Sequence, residues 1–553
     1  MGNVNYNHIG SRVAELLRQR QRLILVALLL FHMVASFYYI SHQNITFDEP
    51  DYFEYAKRWL HGNTERIQPL DDSKSPIVAI SWAPRIVRQI IDSGYQLTDY
   101  GRKDQKEGRY IMIVFSLMAA LYVFRWCKHL YGATGWVLPL MLLLFDPLFL
   151  AHSTLITTDV ATGALLVALL FHYRKYLVEH QLKHFYLAAL FTGLGIVTKQ
   201  SLLFTLLLLP LLAMVYYLVA VPRVSLKPAI AVVYGVAFGL IVLLVVNVAY
   251  FFQGSFTPLG SYVFSSGTLK SLQLQLGLLH WLPVPFPSSY VQSIDMLKAH
   301  AELGAGKPES TFDGVYLFGE MKMKGSYWYY YLVHLWYKMP IGTMLLFLVS
   351  VALFITKFRR RGFANQYLFI VLPIVFYGIL LSFFNQFQIG IRHLLVIYPL
   401  MYIGLGYTLH LAIKAVAMYK AAVAVAILCT FISVFNYYPF LIPYTNEFIS
   451  KKETVYKRIW DSSIDYGQSD SSINDFIKMH PQYKRATAVP DTGKFAVLMG
   501  ETKNTYLKTG NPYNWYQAFQ PIGHFRYVVL LYAIKAEDIK RANLQKPGYK
   551  IVL

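Results

Sequence analysis

Apolar runs of membrane-spanning length recur along this chain, among them Leu23 to Ile40, Tyr110 to Trp126, Ala229 to Phe252 and Ala421 to Asn436. A helix needs roughly 20 mostly apolar residues to cross the hydrocarbon core. Water is absent there, so the backbone must satisfy its own hydrogen bonds and such runs fold as helices. Their number excludes a single anchor. The first run is also not read as a cleaved leader, because Ala35-Ser36-Phe37-Tyr38 offers no small-residue cleavage site and further spans follow. Only 15% of the 553 residues are charged and 56% are hydrophobic, a balance foreign to soluble globular domains.

The net charge of +21 is dispersed in short clusters between apolar runs, not gathered on one basic face, which argues against a nucleic-acid partner. Short loops rich in Lys and Arg stay cytoplasmic. Arg12 to Arg22, Arg125 with Lys128, Arg174 with Lys175 and Lys183, Arg223 with Lys227, Lys357 to Arg361, and Lys414 with Lys420 therefore share the inner side. This alternation gives about eleven crossings, with the N-terminus inside and the C-terminus outside. It also requires the apolar stretch Phe185 to Val221 to break at Lys199, since a single crossing would put the triple-arginine loop outside. The two cysteines, Cys127 and Cys429, lie in or beside apolar runs with no His or Cys at metal-ligand spacing.

The expected fold class is thus an all-α polytopic membrane protein with a small C-terminal extracytoplasmic α/β domain. Residues 1–22 form a cytoplasmic tail, and residues 23–436 form the membrane domain, with outer loops at 41–109 and 253–338. Residues 437–553, where the composition turns polar, form the soluble domain, with a strand expected over Tyr527 to Tyr532.

The chemistry-bearing residues gather on the outer side. The first outer loop opens Thr46-Phe47-Asp48-Glu49-Pro50-Asp51-Tyr52-Phe53-Glu54, placing four carboxylates near the end of the first span. Asp48 or Glu49 can cap a helix with Pro50 in its first turn, and either can equally serve as a fixed base. Tyr52, Tyr55, Ala56 and Trp59, at helical spacing, predict an amphipathic helix lying in the membrane interface. Asp159 begins a span, again as a cap or as a functional group. Lys199, Lys338 and Arg392-His393 stand at outer span boundaries. Each suits a snorkelling anchor, but cations on the outer side run against the positive-inside rule. Their convergence points to an anionic ligand, which a phosphate lipid with its head at the interface would satisfy.

These residues resemble the GT-C superfamily of polyprenyl-phosphate-dependent glycosyltransferases, close to the protein O-mannosyltransferase and aminoarabinose transferase branch. Phe47-Asp48-Glu49-Pro50 resembles its first-loop acidic motif, and Leu150-Ala151-His152-Ser153 with Thr157-Thr158-Asp159 its second-loop motif. Gly195 to Gln200, Gly325 to Tyr331 with Lys338-Met339-Pro340, Ile389 to Leu395, and Asp461 to Gln468 are similar to further elements in the same order. Lys74-Ser75-Pro76-Ile77 stands where the family carries a histidine and two prolines, Val396 replaces a proline, and Tyr466 replaces a tryptophan.

The resemblance implies inverting transfer of a sugar from a polyprenyl or dolichyl monophosphate to a protein, lipid or glycan acceptor, at the outer face of a bacterial inner membrane. It implies Asp48 as the base, and Lys199, Lys338, Arg392 and His393 as ligands of the donor phosphate. Asp159 would orient the site or join Glu49 at a divalent cation, Mg²⁺ or Mn²⁺. A transporter or flippase of the same lipid is the alternative and would show paired repeats, of which the sequence has none. A non-catalytic scaffold would leave the outer charges without a purpose.

Overall fold

A computed structural model describes residues 15, 19–67, 71–92, 94–96, 101–220, 228–304, 314–414, 416–502 and 513–542. The basic positions Arg12, Arg18, Arg223 and Lys227 and the chain end beyond 542 lie outside the described residues. The protein is mostly helical, and among the described residues six helices are long and apolar enough to cross a membrane. They are Gln21–His42, Lys103–Tyr131, Gln200–Val219, Ala231–Ala249, Gly362–Phe384 and Ala417–Phe435, with Leu182–Thr198 and Ile341–Lys357 as shorter apolar helices. The molecule is an integral, multi-pass membrane protein.

Most of these helices keep one apolar face outward, as with Leu23, Leu30 and Val34 on the first. Helix Asp159–Glu179 differs, being buried along most of its length, as an apolar helix at the centre of a bundle must be. It packs against helix Leu182–Thr198, helix Arg102–Tyr131 and the turn Ile391–Val396. Gly163 permits the last approach, because a Cβ there would collide with the Leu395 carbonyl oxygen.

The long apolar stretch does break at Lys199. Lys199 is extended, with φ −155° and ψ 132°, and ends helix Leu182–Thr198. A 3₁₀ turn, Gln200–Phe204, follows and leads into helix Thr205–Ala220.

The helix after the first span, Glu49–Leu60, turns the aromatic face that its spacing predicts inward, against the protein. Tyr52, Tyr55 and Ala56 are buried in the main core of the protein, so that face meets protein. Trp82 stacks on Phe53 at 4.5 Å and donates its indole N–H to the Phe53 carbonyl at 2.8 Å. Spacing discloses an apolar face but not what covers it.

The C-terminal region contributes a four-stranded sheet of β1 (Tyr483–Arg485), β2 (Gly493–Leu498), β3 (Gly523–Phe525) and β4 (Val529–Ile534), in the order β1-β2-β4-β3. β1 and β2 are parallel and the other pairs antiparallel. The strand expected from Tyr527 begins two residues later, because Arg526 and Tyr527 have φ of 49° and 64° and so form a turn. Helix Ser469–Met479 packs on the sheet, and the loop before it reaches back into the membrane domain.

Candidate active site

Asp48 immediately precedes helix Glu49–Leu60, yet its side chain makes no capping hydrogen bond. Its Oδ2 instead accepts from Arg392 Nη1 at 3.0 Å and from the Tyr466 hydroxyl at 2.5 Å. Burial pushes the Asp48 carboxyl up, but the nearby Arg392 and Lys74 charges and the Tyr466 hydrogen bond outweigh it and hold the group below the usual carboxylate range.

Glu49, one residue on, faces the other way. It is fully buried, and Arg109, equally buried, donates to both of its oxygens, from Nε at 2.8 Å and from Nη2 at 2.5 Å. The Thr46 backbone N–H at 2.7 Å, the Thr46 hydroxyl at 2.8 Å and the Ile156 N–H at 2.9 Å complete its shell. Glu49 thereby pins the segment after the first span to the backbone at Ile156, a connection between positions 107 residues apart.

Asp159 is the first residue of its helix. Its carboxylate points to Lys199 Nζ at 2.6 Å and Arg392 Nη1 at 3.8 Å. Arg392 thus lies between two aspartates, with its guanidinium carbon 4.4 Å from the centre of the Tyr466 ring. The order Asp48, Arg392, Asp159, Lys199 alternates in charge, so each group is satisfied by its neighbours.

Three motifs hold Arg392 there. Gly390, at φ +94°, leaves no room for a Cβ beside Ser462 and Ser463, and its N–H donates to the Tyr330 hydroxyl at 2.8 Å. The Ile391 N–H donates to Ser463 Oγ at 2.9 Å. Lys338 Nζ donates to the Ile442 and Ser463 carbonyls at 2.7 and 2.5 Å.

Two expectations change here. Lys338 is buried and its ammonium is bonded to the backbone oxygens of Ile442 and Ser463, so here it braces the Ser463 loop. Glu49 is also no partner of Asp159 at a cation, because its oxygens are occupied by Arg109, Thr46 and Ile156. Among the described residues, no group of three or more His, Cys, Asp or Glu side chains is arranged to hold a metal ion. His393 stands near the charged cluster, its Nδ1 3.3 Å from the Tyr331 hydroxyl and from Asn385 Nδ2. Burial, aided by the Lys199 and Arg392 charges, pushes its imidazole well below the ordinary histidine range, so it is neutral.

Tyr466, Arg109 and Lys74 were not among the expected site residues. Tyr466 comes from a motif already singled out, and Arg109 is a cation in the early turns of helix Arg102–Tyr131, a signal like the one that marked Lys199. Lys74 is buried over the Tyr52 ring, its Nζ 4.2 Å from the centre. A cleft of about 450 Å³ is lined by Thr46, Phe47, Pro50, Gln105 and Asp470 among others, on residues that flank Asp48 in sequence.

Residues 84–249, which contain Asp159 and Lys199, match the family of dolichyl-phosphate-mannose-protein mannosyltransferases. Among solved structures, the chain is similar to ArnT from Cupriavidus metallidurans bound to undecaprenyl phosphate, at 13% identity and a TM-score of 0.46, covering 76% of this chain and 71% of that one. It is also similar to the oligosaccharyltransferase of Archaeoglobus fulgidus in its apo form, at 12% identity and a TM-score of 0.48, covering 82% of this chain and 58% of that one. Compared with curated protein sequences, the chain has no significant match.

Proposed function

We propose that this chain, whose residues 84–249 carry the mannosyltransferase family's pattern, is an inverting glycosyltransferase that moves a sugar from a polyprenyl or dolichyl monophosphate to an acceptor hydroxyl. The observation that carries the reading is the placement of Arg392 between Asp48 and Asp159, with Lys199 on Asp159. A base, a pair of cations and an orienting carboxylate, drawn from four distant segments, then share one site.

In the reaction, the acceptor oxygen attacks the anomeric carbon, the bond from that carbon to the phosphate oxygen breaks, and its electron pair leaves with the lipid phosphate. The acceptor proton passes to Asp48. While Arg392 holds Asp48, the carboxylate is a weak base. A donor phosphate arriving between Lys199 and Arg392 competes for both cations through charge-assisted bonds. Asp48 then loses its strongest partner and gains basicity as the leaving group is stabilised. Asp159 keeps the two cations oriented, and Lys338 acts as a positioning residue through Ser463.

The site faces the extracytoplasmic side, with the N-terminus cytoplasmic, and a bacterial inner membrane is the proposed location. The cleft beside Phe47 and Asp470 is the proposed acceptor approach, the acceptor being a protein, lipid or glycan. Mass spectrometry of surface glycans and glycoproteins with and without the gene tests this reading. Loss of one sugar from a defined acceptor is expected, and an unchanged profile would contradict it.

A further inference from the structure

The outer segment that follows span Ala231–Ala249 has an unusual surface. From Phe251 to Ile294 its sole charged residue is Lys270, with no carboxylate. Its large apolar side chains point outward: Val263 is 95% exposed, Leu278 93%, Leu274 80% and Trp281 62%. Isolated exposed leucines need no explanation, whereas a cluster of this kind marks an interaction surface.

The segment is folded. Residues 257–258 pair with 283–284, and Ser266 caps helix Gly267–Gln275 through the Leu269 N–H. Asp295 accepts from the Ser265 and Ser266 N–H groups at 2.6 and 2.9 Å, and Gln273 donates to the Leu259 and Tyr262 carbonyls at 2.7 and 2.9 Å. The apolar side chains are therefore displayed from a built platform.

We propose that residues 251–282 form a membrane-docking platform whose partner is the outer leaflet itself. The platform continues directly from the end of a span, since Ala249 closes the helix and Phe251 begins the exposed apolar series, so it starts at bilayer height. Its near absence of charge suits the acyl boundary and would be costly against water, and Trp281 is the residue type that favours the headgroup level. Such elements settle roughly 5–10 Å into the headgroup and acyl boundary.

The platform also grips the first outer loop. Trp59 donates to the Ala249 carbonyl at 2.8 Å and packs on Phe251 at 5.0 Å. Thr64 Oγ1 donates to Gln253 Oε1 at 2.6 Å, and Arg66 reaches the Tyr250 hydroxyl at 3.0 Å and the Ser289 carbonyl at 2.7 Å. Because Trp59 rides on the helix that starts after Asp48, the depth of the platform is transmitted to the site. This inference stands independently of the proposed activity.

The test is nitroxide labelling of Leu274→Cys and Leu278→Cys, each in a Cys429→Ala background, with the whole protein in phosphatidylcholine and phosphatidylglycerol bilayers. Lys298→Cys, on helix Ser288–Leu303, is the aqueous reference. Collision with oxygen should exceed collision with a water-soluble nickel chelate at 274 and 278, and the order should reverse at 298. Nickel-dominated collision at both platform sites would overturn the proposal. So would exclusion of both probes with spin–spin broadening, which would assign the surface to a second copy of the chain.

Discussion

Adjacent carboxylates at 48 and 49 have opposite fates, and substitution separates them. Asp48→Asn should reduce turnover by about 10² to 10⁴, the usual worth of positioned proton transfer. Thermal stability should fall less than in Glu49→Gln, since Arg392 loses one counter-charge but keeps Asp159. Glu49→Gln should instead destabilise the protein by about 3–5 kcal/mol, because it leaves Arg109 buried without its counter-charge. Thermal unfolding of the two variants in one detergent checks the contrast. The pH dependence follows from the depressed Asp48 pKa. Asp48 is ionised throughout the neutral range, and both its activity as a base and its contribution to stability are lost only as pH falls through that low value. Tyr466→Phe removes one stabilising hydrogen bond, so the acid limb of kcat/KM should move upward. A limb that stays in place would mean that another group sets it. The acidic cluster was legible in the sequence, but which member faces the cations was not. That division depends on Arg109, sixty residues away, and on the Ile156 N–H, which no local pattern announces.

At the scale of elements, breaks were easier to read than partners. Lys199 interrupts an apolar run, and a cation inside such a run has few places to go, so the break there follows from membrane physics. The aromatic stripe on helix Glu49–Leu60 is covered by protein, which its spacing could not announce because bilayer and protein core impose the same pattern. Lys338 was no easier to read: a buried ammonium bonded to carbonyls, as it is here, and one awaiting a phosphate look alike in sequence. The Gly390 turn shows how local conformation carries a distant consequence. Gly390→Ala should cost about 1–3 kcal/mol for a side chain at positive φ, and its Cβ would push on Ser462 and Ser463. Donor affinity should therefore fall more than it does in Gly378→Ala, where a Cβ meets nothing within 4 Å. Equal effects of the two substitutions would detach Gly390 from the placement of Arg392.

For the whole molecule, the multi-pass class was legible from apolar runs alone, whereas the assembly of the site was not. Four charged residues spread from position 48 to position 392 meet only because the central helix Asp159–Glu179 is buried among its neighbours and a C-terminal loop folds back with Tyr466. The proposed eleven crossings place the C-terminal sheet outside, so a reporter fused after Leu553 that works only in the cytoplasm should be silent. Activity of that reporter would separate the outer charges from a common surface. The central claim is that lipid phosphate is the leaving group. Purified protein in vesicles should be given an acceptor-containing membrane extract and a polyprenyl-phosphate sugar labelled in the sugar. The account predicts free lipid phosphate together with label on the acceptor, both lost in Asp48→Asn. Label that crosses the bilayer still attached to its lipid, with no free lipid phosphate formed, would contradict it.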